Sequence, residues 1–136
     1  MIEFSTDLHA VTATDLQGFF EGWPTPPSAA THLAILRGAA AAVVARDHDS
    51  SAVIGFVTAL SDGVLSAYIP LLEVLPAYRG RGIGRQLVDR VLAELGDLYM
   101  VDVVCDSDVA PFYEQLGFQT AGAMVRRNYA HSSGRA

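Results

Sequence analysis

Residues 74–85 read Val74-Leu75-Pro76-Ala77-Tyr78-Arg79-Gly80-Arg81-Gly82-Ile83-Gly84-Arg85, and they lie between a predicted strand and a predicted helix. Glycine occupies alternate positions at 80, 82 and 84, which allows a sharp turn and leaves the neighbouring amides unhindered. The first amides of the following helix have no partner within it and lie at the positive end of its dipole. A turn of this kind favours the binding of a phosphate group.

Spacing excludes two other phosphate-binding motifs from this turn. The dinucleotide-binding fingerprint needs a third glycine three residues after the second, where this sequence has Arg85 in one frame and Leu87 in the other. The nucleoside-triphosphatase loop needs a lysine, and the sequence contains none. The remaining alternative to a phosphate site is a glycine-rich turn with solvated arginines.

The segment after the turn has the period of an amphipathic helix. Ile83, Leu87, Val91 and Leu95 recur every four residues, and the opposite face carries charged side chains. This pattern predicts a helix that ends at Gly96.

The segments before the turn have the composition of strands. Residues 40–46, 52–60 and 64–75 are rich in Val, Ile and aromatic residues and are separated by turn-forming polar residues, which predicts an antiparallel meander. Pro70 lies inside the third segment and has no N–H to donate. We therefore expect this strand to bulge or to separate from a neighbour near Pro70.

The rest of the chain predicts short elements. A strand is expected over residues 2–7, the start of a helix at 14–20, an irregular proline-rich loop at 21–28 and a second helix at 28–38. Beyond Gly96, the sequence predicts a strand at 99–105, a short helix at 109–116 and one or two closing strands at 119–129.

Length and composition suit one domain. The 136 residues are 51% apolar and 18% charged, and we expect a single domain over residues 1–130 with a disordered tail over 131–136. The net charge of -6 argues against a nucleic-acid partner. The acidic N-terminus is unlike a secretory signal and the apolar runs are too short to span a bilayer, which predicts a cytoplasmic protein.

The residue types that most often bind metals give no metal-binding pattern. The four histidines are scattered without ligand-like spacing, so no metal site is expected. The single cysteine, Cys105, cannot form an internal disulfide, and its apolar surroundings in the sequence predict a buried side chain.

Two motifs together resemble a known family. Arg79-x-x-Gly82-x-Gly84 after Val74-x-Pro76 resembles the acyl-coenzyme A signature of the GCN5-related N-acetyltransferase (GNAT) superfamily. The segment Pro111-Phe112-Tyr113-Glu114-Gln115-Leu116-Gly117-Phe118 resembles the second motif of the same superfamily. The predicted order of strands and helices is also similar from residue 2 to about residue 129.

The resemblance implies an α/β fold of the α+β type, the GNAT fold. A mixed, mainly antiparallel central sheet would be flanked by helices, and its strands at about 64–75 and 99–105 would splay apart into a V. Acetyl-CoA would be the co-substrate, with its pantetheine arm in the V near Leu72 and Val74 and its pyrophosphate on the amides of residues 79–85. Phe112 is assigned to the same site, and Asp106 stands where many relatives have an asparagine that contacts pantetheine.

The resemblance also implies catalytic roles. Attack of an amine on a thioester requires the amine to lose a proton and the leaving thiolate to gain one. Tyr113 resembles the tyrosine that protonates the sulfur in many relatives, the alternative being a packing residue. Glu73 is the expected base, the alternative being a solvated side chain or an arginine partner. Trp23 lies where relatives form part of the acceptor pocket, the alternative being an ordinary loop.

The implied function is transfer of an acetyl group from acetyl-CoA to the primary amine of a small molecule. Two alternatives remain open: acetylation of a protein or peptide, which would need an open groove, and a non-catalytic acyl-CoA-binding sensor. The apolar content and the habit of the family also predict a homodimer. No nucleic-acid or membrane partner is expected.

Overall fold

A computed structural model of the chain describes residues 1–135 and contains one five-stranded mixed sheet. The strands lie side by side in chain order: β1 (Ile2–Ser5), β2 (Ala41–Asp47), β3 (Val53–Ser61), β4 (Ser66–Val74) and β5 (Met100–Val103). The first four are antiparallel, and β5 runs parallel to β4. The helices are α1 (Ala29–Gly38), α2 (Ile83–Leu95) and α3 (Ala110–Glu114). The predicted fold class, including the antiparallel meander, is confirmed.

Both faces of the sheet are covered by apolar side chains. Along β2, Val43 and Ala45 face a core formed with α2, whereas Ala42 and Val44 face a second core that contains Leu36 of α1. This explains why β2 and β3 read as continuous apolar runs: a strand buried on both faces has no polar side to alternate with.

The two long helices begin and end where the sequence provides the appropriate residues. Ser28 precedes α1, and its hydroxyl oxygen accepts a hydrogen bond from the amide of Thr31 at 3.1 Å. Gly82 precedes α2 in the left-handed conformation, with φ of 78°, and Gly96 follows it with φ of 74°. The apolar stripe of α2, with Ile83, Leu87, Val88 and Val91 buried, packs onto the sheet.

Pro70 marks the point at which β4 separates from β5. The two strands pair from Ser66 with Met100 to Ile69 with Val103, and the pairing stops there. On the other side of β4, the register with β3 shifts between Thr58 and Leu60, so that Pro70 lies in a bulge. The expected irregularity at Pro70 is confirmed, and beyond it β4 continues with a neighbour on one side only.

The prediction that a helix starts within residues 14–20 is wrong. The chain forms only a single 3-10 turn at Ala13–Asp15, closed by a hydrogen bond from the amide of Thr12 to the carboxylate of Asp15 at 2.9 Å. Gly18 and Phe20 then adopt positive φ values of 86° and 63°, which a helix cannot contain. Leu16 and Phe20 are buried in the α1-side core, so tertiary packing overrides the local capping signal.

The prediction of one or two closing strands at 119–129 is also wrong, because the described residues form no strand there. Residues 118–128 form no ladder, turn or bend, and the chain resumes hydrogen-bonded structure only in the 3-10 turn Tyr129–His131. The residues have the composition of a strand, but a strand also needs a partner edge, and within the described chain none lies beside this segment.

The C-terminal residues return to the body of the domain. The Ser132 hydroxyl donates a hydrogen bond to the carbonyl of Thr25 at 3.0 Å. The single domain over residues 1–130 and the tail over 131–136 stay predictions, and Ala136 lies outside the described residues. No helix within residues 1–135 has the length and apolar character needed to cross a membrane.

Candidate functional site

The end of β4 presents an open strand edge. The amide of Leu75 bonds the carbonyl of Ile54 at 2.8 Å, and in an antiparallel pair the groups that face the partner alternate along the strand. Leu71 and Glu73 therefore bond β3, whereas Leu72 and Val74 turn their backbone groups toward the side that β5 has left. An open edge of this kind can pair with an extended molecule.

The glycine turn follows this edge after one 3-10 turn, Pro76–Tyr78, and it carries unpartnered amides. None of the amides from Gly80 to Arg85 donates a hydrogen bond to another described residue, and the first internal bond of the helix start is from Gln86 to the carbonyl of Gly82 at 3.2 Å. A Cβ added at Gly80 or Gly82 would meet no atom within 4 Å, so both positions face open space. The turn therefore combines free donors, room for a ligand and a helix N-terminus.

Gly84 has a different role from the other two glycines. A Cβ at this position would lie 3.5 Å from the ring of Phe112 and 3.9 Å from Val74. The start of α2, the end of β4 and helix α3 thus converge at Gly84. The half-buried ring of Phe112 is placed beside the predicted cofactor residues, as the sequence motifs imply.

The arginines of the turn are held by neighbouring groups. Arg79 donates from Nε to the carbonyl of Val74 at 2.9 Å and forms an ion pair with Glu21 at 2.7 Å. Arg81 lies over the ring of Tyr78, 5.2 Å from its centre. Because Arg79 already occupies the carbonyl of Val74, the open edge retains the backbone groups of Leu72 and the amide of Val74.

Glu73 holds a loop on the other side of the sheet. Its Oε1 accepts the amide of Phe20 at 2.8 Å, and its Oε2 accepts the amide of Glu21 at 3.3 Å. Phe20 has a positive φ of 63°, which is rare for a residue with a bulky side chain, so these bonds stabilise a strained turn. Neither alternative considered from the sequence, a solvated side chain or an arginine partner, describes this contact.

A cavity of about 140 Å³ lies beside this turn, lined by Leu16, Gln17, Gly18, Phe19, Phe20, Pro27, Ser28, Ala29 and His32. His32 is 1% exposed, and neither ring nitrogen has a hydrogen-bond partner. The rings of Phe19, Phe20 and Phe56 surround it, with centres 5.2, 5.0 and 4.3 Å away. Burial lowers the pKa of His32 to about 4, so the imidazole is neutral at physiological pH.

Sequence reasoning missed His32 because it searched the histidines only for metal spacing. The available signal was its position: His32 and Leu36 are four residues apart and occupy the same buried face of α1. Trp23, the predicted acceptor residue, is 42% exposed and lies near this region, with its ring centre 5.0 Å from that of Phe20.

Tyr113 is buried within α3, with its ring between those of Phe112 and Phe118 at 5.0 and 5.4 Å. Tyr113, to which the resemblance assigns a catalytic role, is more buried than Phe112. Burial raises the pKa of Tyr113 to about 12, and the nearby Cys105 contributes less in the same direction. The phenol therefore keeps its proton at physiological pH.

Two residues beyond β5 are exposed. Asp106 lies in the loop before α3, where its carbonyl accepts the amide of Val109 at 3.0 Å. The prediction of a buried Cys105 is wrong, because its side chain is exposed. The pairing of β5 with β4 ends at Val103, so Cys105 lies beyond the part of the strand that the sheet covers.

Comparison with known proteins gives consistent matches. A family model described as an acetyltransferase (GNAT) domain matches residues 38–120. A crystal structure of a Deinococcus radiodurans protein assigned as an acetyltransferase is 56% identical, with a TM-score of 0.97 over 99% of this chain and 94% of that one. A GNAT-family protein from Streptococcus pneumoniae is 25% identical, with a TM-score of 0.76 over 94% of this chain and 98% of that one.

Curated relatives are longer than this chain. GCN5-related N-acetyltransferase 2, chloroplastic, from Arabidopsis thaliana is 31% identical over 126 residues, which cover 77% of this chain and 49% of that protein. The N-alpha-acetyltransferase RimI of Mycobacterium tuberculosis is 45% identical over 66 residues, which cover 46% of this chain and 40% of that protein. The chain thus spans about half the length of the curated relatives that it matches first.

The buried, neutral His32 predicts a loss of stability in mild acid. An unfolded chain binds a proton at the ordinary histidine pKa of 6.5, whereas the folded chain resists protonation until about 4. The free energy of unfolding should therefore fall by about 3 kcal/mol as the pH decreases from 6.5 to 4, in addition to the contribution of the carboxylates.

Urea unfolding at several pH values measures this effect. His32→Phe should lose this part of the pH dependence, whereas His9→Phe, at an exposed position, should keep it. Equal pH dependence in the wild type and His32→Phe would show that His32 is not held neutral by the fold.

Proposed function

The chain belongs to the GNAT family of acetyltransferases, and on that premise we propose that it transfers an acetyl group from acetyl-CoA to the primary amine of a small molecule. The observation that carries the proposal is the succession of two binding surfaces: the open backbone edge at Leu72 and Val74 is followed, after the 3-10 turn Pro76–Tyr78, by the free amides of residues 80–85. One surface suits the amides of a pantetheine arm, and the other suits a pyrophosphate.

A small acceptor is favoured by the size and place of the cavity near Glu73. A volume of about 140 Å³ is room for a compact ligand rather than for a folded protein surface. Gly18 in its lining lies against Leu75, since a Cβ there would be 3.5 Å from Leu75, and Phe20 is bonded to Glu73.

Two side chains are proposed to move the protons. Glu73 receives a proton from the ammonium form of the acceptor, since its oxygens keep lone pairs beyond the two amide bonds that they accept. The neutral amine nitrogen then forms a bond to the thioester carbon, and the carbon–sulfur bond breaks. Tyr113 donates its proton to the departing thiolate, and the second proton that the attacking nitrogen loses as it becomes an amide restores the phenol.

A peptide N-terminus is the second candidate acceptor. Its support is the match to RimI, which is named an N-alpha-acetyltransferase. A non-catalytic sensor would bind acetyl-CoA without turnover.

We also propose a cytoplasmic location, because the exposed free thiol of Cys105 suits a reducing compartment, although the A. thaliana relative is named chloroplastic.

The acceptor class is tested by measuring release of free coenzyme A from acetyl-CoA across panels of small amines, aminoglycosides, amino acids and peptides. We expect turnover with small amines. Turnover with peptides alone would select the second candidate, and binding of acetyl-CoA without turnover on any panel would identify a sensor.

The glycine turn gives a prediction with a matched control. Gly82→Val places a side chain in the open space where the pyrophosphate is proposed to bind, so the affinity for coenzyme A should fall at least ~10-fold, or about 1.4 kcal/mol. Gly63→Val carries the same strain at a φ of 74° in a distant hairpin and should bind normally. Calorimetric titration of the two folded variants gives the comparison, and unchanged affinity in Gly82→Val would remove the phosphate site.

The proposed acid is tested with Tyr113→Phe, which keeps the ring packing and removes the hydroxyl. With acetyl-CoA, kcat should fall by about 10²- to 10⁴-fold while the affinity for coenzyme A stays near that of the wild type. With an aryl thioester, whose thiolate leaves without protonation, the loss should be much smaller.

The control for Tyr113→Phe is Tyr99→Phe, which removes an exposed hydroxyl and should leave kcat unchanged. A near-normal kcat for Tyr113→Phe, or an equal loss with both thioesters, would contradict the role of Tyr113. For Glu73, the matching variant is Glu73→Gln: a fall in kcat with an unchanged acceptor KM supports a base, whereas an unchanged kcat with a raised acceptor KM would leave Glu73 only its loop contact.

A further inference from the structure

Cys105 lies at the opening between β4 and β5. The last paired residues of these strands are Ile69 and Val103, and two positions further along are Leu71 and Cys105, which no ladder joins. Residues 104–106 form no turn or bend, so the chain runs on from β5 without reversing. The exposed thiol of Cys105 therefore stands beside the space that the free half of β4 borders.

Cys105 and Tyr113 lie on the same face of the sheet. Val103 packs against the core formed with α2, and side chains alternate between faces along an extended chain, so the side chain two positions later returns to that face. Helix α3 covers the same face, because the ring of Phe112 is 3.5 Å from where a Cβ on Gly84 of α2 would lie. The thiolate of Cys105 also contributes to the raised pKa of Tyr113, which indicates that the two groups are close enough to interact.

The hydroxyl of Tyr113 reaches an open surface although its side chain is buried. Tyr113 is 6% exposed, and within residues 1–135 the tyrosine hydroxyl that forms a hydrogen bond is that of Tyr78, with Asp47. The fully enclosed side-chain atoms that lack a partner in the described chain belong to His32 and Thr58. The unpartnered hydroxyl of Tyr113 is therefore accessible, and a polar group on a ligand can bind it.

The chemistry of Cys105 requires a thiol from another molecule. An exposed thiol that meets a hydroperoxide is oxidised to a sulfenic acid, which a second thiol converts to a disulfide. Cys105 is the single cysteine of the sequence, so the chain supplies no second thiol. Under the proposed function, each transfer leaves the thiol of coenzyme A beside the hydroxyl of Tyr113.

We propose that Cys105 forms a disulfide with the coenzyme A that occupies the site after transfer, and that this bond excludes acetyl-CoA until a reductant breaks it. The inference rests on the proposed function, because the coenzyme A thiol reaches Cys105 only if the pantetheine arm lies along the open half of β4. The protein would thereby stop consuming acetyl-CoA under oxidising conditions and resume when thiols are reduced again.

The bond forms in two steps when the oxidant is hydrogen peroxide. The sulfur of Cys105 attacks one oxygen of the peroxide, the O–O bond breaks, and the other oxygen leaves as water with the proton of the thiol. The sulfur of coenzyme A then attacks the sulfenic sulfur, the S–O bond breaks, and a second water carries away the proton of coenzyme A. The two thiols lose the two electrons that the peroxide gains, and a dithiol reverses the bond by exchange.

The experiment is intact mass spectrometry of the protein treated with hydrogen peroxide and either coenzyme A or glutathione at the same micromolar concentration. With coenzyme A, the wild type should gain the mass of one coenzyme A less two hydrogen atoms, and a dithiol reductant should remove it. This adduct should form at least ~10-fold faster than the glutathione adduct, because a bound thiol has a raised effective concentration. Calorimetric binding of acetyl-CoA should be lost in the adduct and should return on reduction.

The control variant moves the thiol to another exposed position. In Cys105→Ser/Val64→Cys the thiol lies in the hairpin between β3 and β4, at a position that is 81% exposed in the wild type. This hairpin is at the opposite end of β4 from the glycine turn, so coenzyme A should react with the moved thiol no faster than glutathione does.

Two results would overturn the disulfide and leave the proposed function intact, provided that coenzyme A binds the untreated protein in calorimetry. One is an equal rate of reaction with coenzyme A and glutathione in the wild type. The other is an equally fast coenzyme A adduct when the thiol has been moved. Failure of coenzyme A to bind the untreated wild type would overturn both the disulfide and the proposed function.

Discussion

The site depends on a missing hydrogen-bond donor in the middle of β4. Pro70 follows Ile69, the last residue that pairs with β5, and it lies in the bulge opposite β3. Because proline cannot donate to a ladder, the sheet opens there, and the backbone groups of Leu72 and Val74 remain available. A single 3-10 turn, Pro76–Tyr78, then connects the strand to the glycine turn. An open edge and a row of free amides are thus consecutive parts of one segment.

A second set of contacts attaches the loop of Phe20 and Glu21 to the same strand. Glu73 binds the amides of Phe20 and Glu21, and Arg79 joins the carbonyl of Val74 to the carboxylate of Glu21. The loop that lines the cavity is therefore fixed to the residues that border the opening of the sheet. Under the proposed function, neighbouring residues of β4 would face the two substrates from opposite sides, which is the arrangement that direct transfer between them requires.

The sequence predicted what depends on local pattern and could not predict what depends on distant contacts. The period of α2, the left-handed Gly82 before it and the bulge at Pro70 follow from residues within a few positions of one another. Glu73 and Phe20 lie 53 positions apart, and nothing in the sequence marks their bond. The 119–129 segment has the composition of a strand, but composition does not specify whether an edge lies beside it. The four-residue spacing of His32 and Leu36 marks a buried helix face, but it does not by itself mark a functional histidine.

The central claim is that acetyl-CoA lies along the open half of β4 and on the glycine turn. Amide hydrogen exchange, measured by NMR with and without saturating coenzyme A, tests it most directly because it reports on individual backbone groups. We predict slower exchange for the amides of Leu72 and Val74 and for those of residues 80–85, with little change in α1. Binding of coenzyme A with unchanged exchange at these amides, or with protection confined to another part of the sheet, would contradict the account.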